Sequence, residues 1–474
     1  MVQIKFGTSG WRGIIAEDFT FTNVRIVAQA IAEYLVMEGL TEKGVVIGYD
    51  TRFLSEAFAA EAAKVLAANG VHVFFCSQPT PTPAISHEIL RRGAGGAINF
   101  TASHNPPEYN GIKFSSEWGG PALPGVTGRV EARANQLLRD PRVPLIPLGL
   151  AEARGLLERI DPRPPYLEKL RQIVNYPVLR ESQLKVVLDP LYGTARGYLD
   201  AACSEAGCHV KTLHSIRDPY FGGRPPEPTE ENLGELCFEV VETGSHLGLA
   251  TDGDADRFGV VDADGTLITP NQLLALLLKH LVKSRGWKGA VARSVATSHL
   301  IDAVARKYGI EVYETAVGFK YIGDLISQDR IIIGGEESAG LSIKGHVPEK
   351  DGILACLLAA EMVAASGRSR LKALLGELYA EVGTVLSRRY NFQVTEEEKR
   401  SLMERLKDPP LTWSGLHVIE VNALVEGIKL LLEDGSWVLV RLSGTEPMVR
   451  LYVEGSSEDQ LRELAEAGRQ FIYG

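Results

Sequence analysis

The sequence predicts three consecutive α/β domains with mixed, largely parallel sheets, followed by a C-terminal α+β domain with an antiparallel sheet. Three observations carry this prediction. Apolar strand-like runs alternate with helix-period segments through residues 22–380, the pattern of βαβ units. The last hundred residues instead crowd strand-like runs together, with few helical segments between them. The chain has 474 residues, more than one hydrophobic core supports.

In the first domain, Val24, Val27, Ala28, Ile31 and Leu35 recur at helical spacing within 22–38. A strand at 45–49 closes on Asp50-Thr51-Arg52, and a helix (56–68), a strand (71–76) and a Pro/Thr loop (78–83) follow. The apolar run 95–100 reads as a buried strand that opens into Thr101-Ala102-Ser103-His104-Asn105-Pro106-Pro107. Two prolines fix φ and end the ladder, so Ser103 sits on a stiff loop at a strand end, where ligands bind in such sheets. Residues 119–128 read as loop and 130–138 as helix. The proline-rich stretches 141–147 and 161–165 read as linkers around a short helix, so the first domain is assigned 1–150.

The second domain, 151–257, has strands at 184–188, 210–213 and 247–250, the last running into Thr251-Asp252-Gly253-Asp254-Ala255-Asp256-Arg257. The third, 258–380, begins with a hairpin turn at Asp264-Gly265 and alternates strands (290–293, 310–313, 331–334) with helices. The fourth, 381–474, holds strands at 384–392, 417–421, 428–432, 437–442 and 448–454 and helices at 396–406 and 457–471.

Composition narrows the function classes. The chain is 45% hydrophobic and 23% charged, an ordinary globular balance, and its net charge of −10 argues against a general nucleic-acid binder. No apolar run of 18 residues exists, since Lys279, His280 and Glu361 break the two longest, so no membrane span is expected. The start lacks a signal-peptide core, and the five scattered cysteines form no C-x-x-C. A reduced, cytoplasmic chain is the expectation.

Asp252, Asp254 and Asp256 alternate, so in an extended segment their carboxylates project to one side and repel unless a cation lies between them. Oxygen-only ligation selects a hard ion such as Mg²⁺ or Ca²⁺. An EF-hand is excluded because Arg257 and Ala263 stand where it needs Gly and Glu. Arg257 offers planar donors to a phosphate, or else pairs with Asp256. Gly335-Glu336-Glu337-Ser338 can grip a polyol, although acidic residues at a helix start explain it as well. Arg441-Leu442-Ser443-Gly444-Thr445 makes a phosphate cradle without the Walker lysine. Phe6-Gly7-Thr8-Ser9-Gly10-Trp11-Arg12-Gly13 reads either as an anion-approaching loop or as a turn-rich arm. Asp262-Ala263-Asp264-Gly265-Thr266 imitates an aspartyl-phosphatase loop but fits a hairpin better, and no G-x-S-x-G marks a serine hydrolase.

Taken together and in this order, Gly7 to Gly13, Thr101-Ala102-Ser103-His104-Asn105-Pro106, Asp252 to Arg257, Gly335 to Ser338 and Arg441 to Pro447 resemble the α-D-phosphohexomutase family nearly end to end. The resemblance implies four domains around a central cleft and a phosphate carried on Ser103. It implies one Mg²⁺ shared by Ser103, Asp252, Asp254 and Asp256, with glucose 1,6-bisphosphate as activator. Glu336 and Ser338 would grip sugar hydroxyls, and Arg441, Ser443, Gly444 and Thr445 the non-reacting phosphate. Arg12, His104, Lys113, Arg257 and Lys320 would complete the site. The implied activity is the interconversion of glucose 1-phosphate and glucose 6-phosphate. Dual glucose/mannose specificity, phosphoglucosamine mutation, a metal-dependent sugar-phosphate phosphatase and a non-catalytic sugar-phosphate sensor are the alternatives. The partners expected are small hexose phosphates, with the protein a monomer or homodimer.

Overall fold

The computed structural model describes residues 3–7, 10–367, 370–425, 427–442 and 448–474. It divides into two units, Met1–Ser294 with Ile310–Leu374, and Val295–Gly309 with Leu375–Gly474.

The first unit contains three mixed sheets. The first has six strands in the order Trp11–Ile14, Tyr109–Ser116, Gly96–Phe100, Val45–Tyr49, Val73–Cys76, Leu157–Ile160. Helices Phe21–Met37 and Ser55–Ala68 bury Val27, Ile31, Phe58 and Leu66 on one face. On the other face, Ile85 and Ile89 of helix Thr82–Arg92 pack on Val46 and Ala97. The second sheet is Leu267–Ile268, Phe258–Asp262, Leu247–Thr251, Lys185–Asp189, His209–Thr212, and the third is Val312–Thr315, Ala290–Ser294, Ile331–Glu336, Gly340–Ile343.

One device occurs in all three sheets. Two strands run parallel, and the second turns through a short loop into an antiparallel return strand. The sets are Val45–Tyr49, Gly96–Phe100 and Tyr109–Ser116; Lys185–Asp189, Leu247–Thr251 and Phe258–Asp262; and Ala290–Ser294, Ile331–Glu336 and Gly340–Ile343. The loops between second and third members carry Ser103, the three aspartates and Ser338, with Glu336 on the last strand residue.

Helix Gly352–Ala365 is a core helix, apolar all round except for the buried Glu361. It packs on Leu247–Thr251, Phe258–Asp262 and helix Tyr176–Ser182, and Asp351 caps its start by accepting from the Leu354 amide at 2.8 Å. Among the described residues no helix is long and apolar enough to cross a membrane.

Several expectations are corrected here. Leu157–Ile160 pairs parallel with Val73–Cys76, so the first sheet runs past residue 150. Phe258–Asp262 pairs with Leu247–Thr251, so it belongs to the second sheet and not to a domain starting at 258. The 161–165 stretch opens helix Arg163–Ile173, and the expected loop at 119–128 contains the start of helix Pro124–Leu137. Trp11–Ile14 is a strand rather than part of a loop.

In the second unit, Leu386–Gln393, Met448–Gly455, Trp437–Leu442, Gly427–Leu432, Leu416–Leu424 and Thr412–Trp413 form one antiparallel sheet. Leu461 and Leu464 of helix Glu458–Tyr473 join its core. The segment Val295–Gly309 belongs to this unit, although its sequence lies within the third α/β pattern. There Lys429 Nζ donates to the Val295 carbonyl at 2.9 Å, and the His299 amide donates to Glu454 at 3.0 Å.

Candidate active site

Ser103 is held in the left-handed region at φ +54° and is 2% exposed. Its amide donates to Thr101 Oγ1 at 2.8 Å, a local turn that fits the loop to the end of its strand. Its hydroxyl donates to Asp252 Oδ2 at 2.7 Å and lies 3.2 Å from His104 Nδ1. The first and second sheets therefore meet at this hydroxyl.

Asp252 Oδ1 accepts from the Asp256 and Arg257 amides, both at 3.0 Å, which curls the loop so that the three carboxylates converge. One oxygen from each lies within 4.8 Å of the others. Lys113, on the return strand of the first sheet, donates to Asp254 Oδ2 at 2.6 Å and Asp256 Oδ2 at 2.7 Å. Lys350 stands 3.3 Å from Asp256 Oδ2 and 2.7 Å from Glu349. Arg257 donates to Glu227 at 2.9 Å, and Arg12 donates to Asn105 Oδ1 in the Ser103 loop.

The charges of this cluster set its protonation. Burial, with Asp256 and Asp254 beside it, pushes Asp252 well above the usual carboxylate range. Burial would also raise Asp256, but Lys113, Lys350 and Arg257 outweigh it and hold that carboxyl low. For Lys113, burial is outweighed by Asp254 and Asp256, which raise it, and Lys350 is raised in the same way by Asp256 and Glu349. Desolvation, Arg257 and Arg12 push the His104 imidazole well below its ordinary value, so it is neutral. Glu336 is raised to about 7 by burial and by Glu337, and it accepts from the Gly318 amide at 2.8 Å.

The aspartate set fits a hard divalent cation. It is oxygen-only and buried, and Asp254 Oδ1 and Asp256 Oδ1 are buried without a hydrogen-bond partner. Mg²⁺ matches that donor chemistry.

Four family models cover the chain in order. They are phosphoglucomutase/phosphomannomutase domain I at 3–139, domain II at 164–265, domain III at 269–382 and the C-terminal domain at 390–470. The chain belongs to the α-D-phosphohexomutase family. Within that family it is 33% identical over 467 residues to a protein of Methanothermobacter thermautotrophicus named as a probable phosphoglucosamine mutase, covering 98% of this chain and 97% of that one. It is 31% identical over 474 residues to a phosphoglucomutase/phosphomannomutase of Thermococcus kodakarensis, covering 98% of each. A crystal structure of an inferred phosphomannomutase from Thermus thermophilus matches with TM-score 0.86 and 33% identity over 100% of both chains. These names agree on phosphohexose isomerisation and differ on the sugar.

For this phosphohexomutase, the structure brings together Ser103, His104, Lys113, Asp252, Asp254 and Asp256, with Arg12 bonded to the Ser103 loop and Arg257 to Glu227. Glu336 lies close enough to feel the charges of Lys350 and Arg257. Ser338 occupies the turn after Glu336. Lys320 is in helix Phe319–Ser327, its ammonium 5.4 Å from the Tyr321 ring centre. Arg441 is the last but one residue of strand Trp437–Leu442 in the second unit. Ser443, Gly444 and Thr445 lie outside the described residues.

Sequence reasoning misses Lys350, which lies in Glu349-Lys350-Asp351-Gly352. The available signal is a dense charged run leading into a glycine that opens a helix apolar except for Glu361. Gly352 lets that run approach closely, since a Cβ there would lie 2.1 Å from the Arg257 carbonyl oxygen. It misses Thr82 as well, whose hydroxyl donates to Asp254 Oδ2 and whose amide donates to the Asp254 carbonyl at 2.9 Å.

Proposed function

We propose that this phosphohexomutase interconverts glucose 1-phosphate and glucose 6-phosphate through a phosphate carried on Ser103 and a hexose 1,6-bisphosphate intermediate. The observation that supports it most is the Ser103 hydroxyl 2.7 Å from Asp252 within a converging, buried three-aspartate cluster. Phosphoryl transfer at a serine, in either direction, needs charge neutralised beside it, and this cluster lies where it would be supplied.

Mg²⁺ held by Asp252, Asp254, Asp256 and the phosphoserine would supply that neutralisation. The protein's own groups do the rest. Protonated Lys113 and Lys350 donate to phosphoryl oxygens, and Arg12 and Arg257 add positive charge around the Ser103 loop. When the phosphoryl group returns to Ser103, the hydroxyl loses a proton; neutral His104 Nδ1, 3.2 Å away, can hold it. Glu336 accepts from sugar hydroxyls, with Ser338 beside it. Lys320 adds a cation to the same binding group. Arg441, with Ser443, Gly444 and Thr445, is the phosphate-gripping group of the C-terminal unit. Glucose 1,6-bisphosphate serves as activator because it recharges an unphosphorylated Ser103.

Glucose is the preferred sugar on the form of Gly335-Glu336-Glu337-Ser338, which looks like that of phosphoglucomutases. Glucosamine is the second reading, favoured by the name of the Methanothermobacter relative. Comparing kcat/KM for glucose, mannose, glucosamine and N-acetylglucosamine 1-phosphates decides between them. Intact-mass measurement tests the mechanism, with one phosphate expected on the wild type after exposure to glucose 1,6-bisphosphate and none on Ser103→Ala.

A further inference from the structure

Arg52 is 0% exposed, an unusual place for a guanidinium. It follows the strand Val45–Tyr49, which lies parallel to the strand leading into Ser103. All five of its N–H donors are used. Nε donates to Asp50 Oδ2 at 3.1 Å, Nη1 to the Pro106 and Tyr109 carbonyls at 2.7 and 3.1 Å, and Nη2 to the Ser103 and Asn105 carbonyls at 2.7 and 2.6 Å. Four of the five bonds therefore end on the backbone of one segment: three on the loop that carries Ser103 and one on Tyr109, the first residue of the strand that follows it.

That loop needs an anchor. Ser103 sits at φ +54°, a left-handed conformation that is sterically unfavourable for a non-glycine residue. The strain persists only where the surroundings over-determine it. The planar fork of one arginine serves the backbone carbonyls of Ser103, Asn105, Pro106 and Tyr109 together. Asp50 holds the fork in turn. It accepts from the Arg52 amide at 2.9 Å and the Ser55 hydroxyl at 2.7 Å. The Phe221 ring covers the guanidinium at 4.9 Å. A lysine has three donors on one nitrogen and cannot span four carbonyls.

We propose that Arg52 is a positioning residue for phosphoryl transfer: its guanidinium locks the Ser103 loop in the one conformation that aims the seryl oxygen at the three aspartates. It touches neither substrate nor transferring group. The inference rests on the reading of Ser103 as the phosphate carrier. A loop freed from the fork keeps the serine and loses its aim, so the chemical step slows while sugar binding is spared. A misplacement of about 1 Å costs about 100-fold in rate.

The test uses Arg52→Lys and Arg52→Ala in the full chain, with glucose 1-phosphate and glucose 1,6-bisphosphate. Expected for Arg52→Lys is a kcat loss of about 100-fold with KM within about threefold of wild type. Added guanidinium ion should raise the kcat of Arg52→Ala and leave Arg52→Lys unchanged. The proposal is overturned if Arg52→Lys keeps wild-type kcat, if the loss falls on KM, if guanidinium gives no rescue, or if neither variant folds by circular dichroism, since Arg52 would then be a folding residue. A wild type that neither takes phosphate on Ser103 nor isomerises the sugar overturns the mutase reading instead, so the two failures are distinguishable.

Discussion

Ser103 Oγ and Asp252 Oδ2 are 149 residues apart in sequence and 2.7 Å apart in the fold. Two separate sheets each end a strand at this point, so the contact depends on their packing and not on either loop alone. Asp252→Asn keeps the shape and removes the charge. It should lower kcat by about 100-fold or more and raise the Mg²⁺ concentration needed for half-maximal rate. A Mg²⁺ titration of activity checks this, and an unchanged half-maximal concentration would remove Asp252 from the proposed metal site.

Lys113 bridges Asp254 and Asp256 while itself buried. Removing one partner of a buried ion pair costs about 3–5 kcal/mol because the remaining charge is uncompensated. Lys113→Met should therefore lower the Tm measured in chelator. Mg²⁺ should then restore more stability to the variant than it adds to wild type, since it replaces the missing positive charge. Equal Mg²⁺-induced Tm shifts in the two proteins would contradict this account.

Glu336 is raised from 4.5 to about 7 by burial and by Glu337. Below about 7 the carboxyl is protonated and would be a weaker acceptor for the sugar hydroxyls it is proposed to grip. KM for the sugar phosphate should rise as pH falls through about 7, and Glu336→Gln should flatten that profile. The stability sign follows from the same shift. Between 4.5 and about 7 the folded state keeps a proton that the unfolded state releases, so this group lowers stability as pH rises across that window. A KM profile that is flat in the wild type would refute the assignment.

Gly193 packs closely against the backbone of the three-aspartate loop. A Cβ there would lie 2.7 Å from the Gly253 carbonyl oxygen and 2.8 Å from that of Asp252, and neither backbone atom can yield cheaply. Gly193→Ala should cost about 1–3 kcal/mol and weaken Mg²⁺ binding. Gly234→Ala, where a Cβ meets nothing within 4 Å, is the control. Calorimetric Mg²⁺ affinities of the two variants should differ; matched affinities would show that the loop is not held through Gly193.

The parts of this site legible in sequence are those where an apolar strand stops on a short polar run. Ser103, the three aspartates and Glu336 all sit at such stops. The domain limits are less legible because prolines in a polar stretch suggest linkers. Pro83, Pro124, Pro164, Pro177 and Pro270 instead occupy first-turn positions of helices, where a missing N–H costs nothing. The return strand Tyr109–Ser116 is hidden because it follows two prolines and mixes polar with apolar residues. Arg52 and Lys350 carry no periodic signal at all. Their meaning lies in acceptors such as Ser103, Tyr109 and Asp256, which only the tertiary fold brings near.

Glu361 is far in sequence from the groups that hold it, and it gives the clearest dependence of stability on acid. It lies buried in helix Gly352–Ala365 and accepts from His280 Nε2 at 2.9 Å, Arg285 Nε at 2.8 Å and the Asn175 amide at 2.7 Å. Burial alone would raise its carboxyl, but the hydrogen bonds from His280 and Arg285 and the arginine charge outweigh it and hold it at about 2, below the ordinary 4.5. The ionised group therefore contributes its full stabilisation above 4.5 and loses it as pH falls toward about 2, a difference of about 3 kcal/mol. Glu361→Gln should be less stable than wild type at neutral pH. The denaturant-unfolding curves of the two proteins should converge as pH falls through that window, because the wild type then loses what the variant never had. Parallel stability profiles from about pH 7 down to about pH 3 would mean that the ion pairs around Glu361 contribute no net stability.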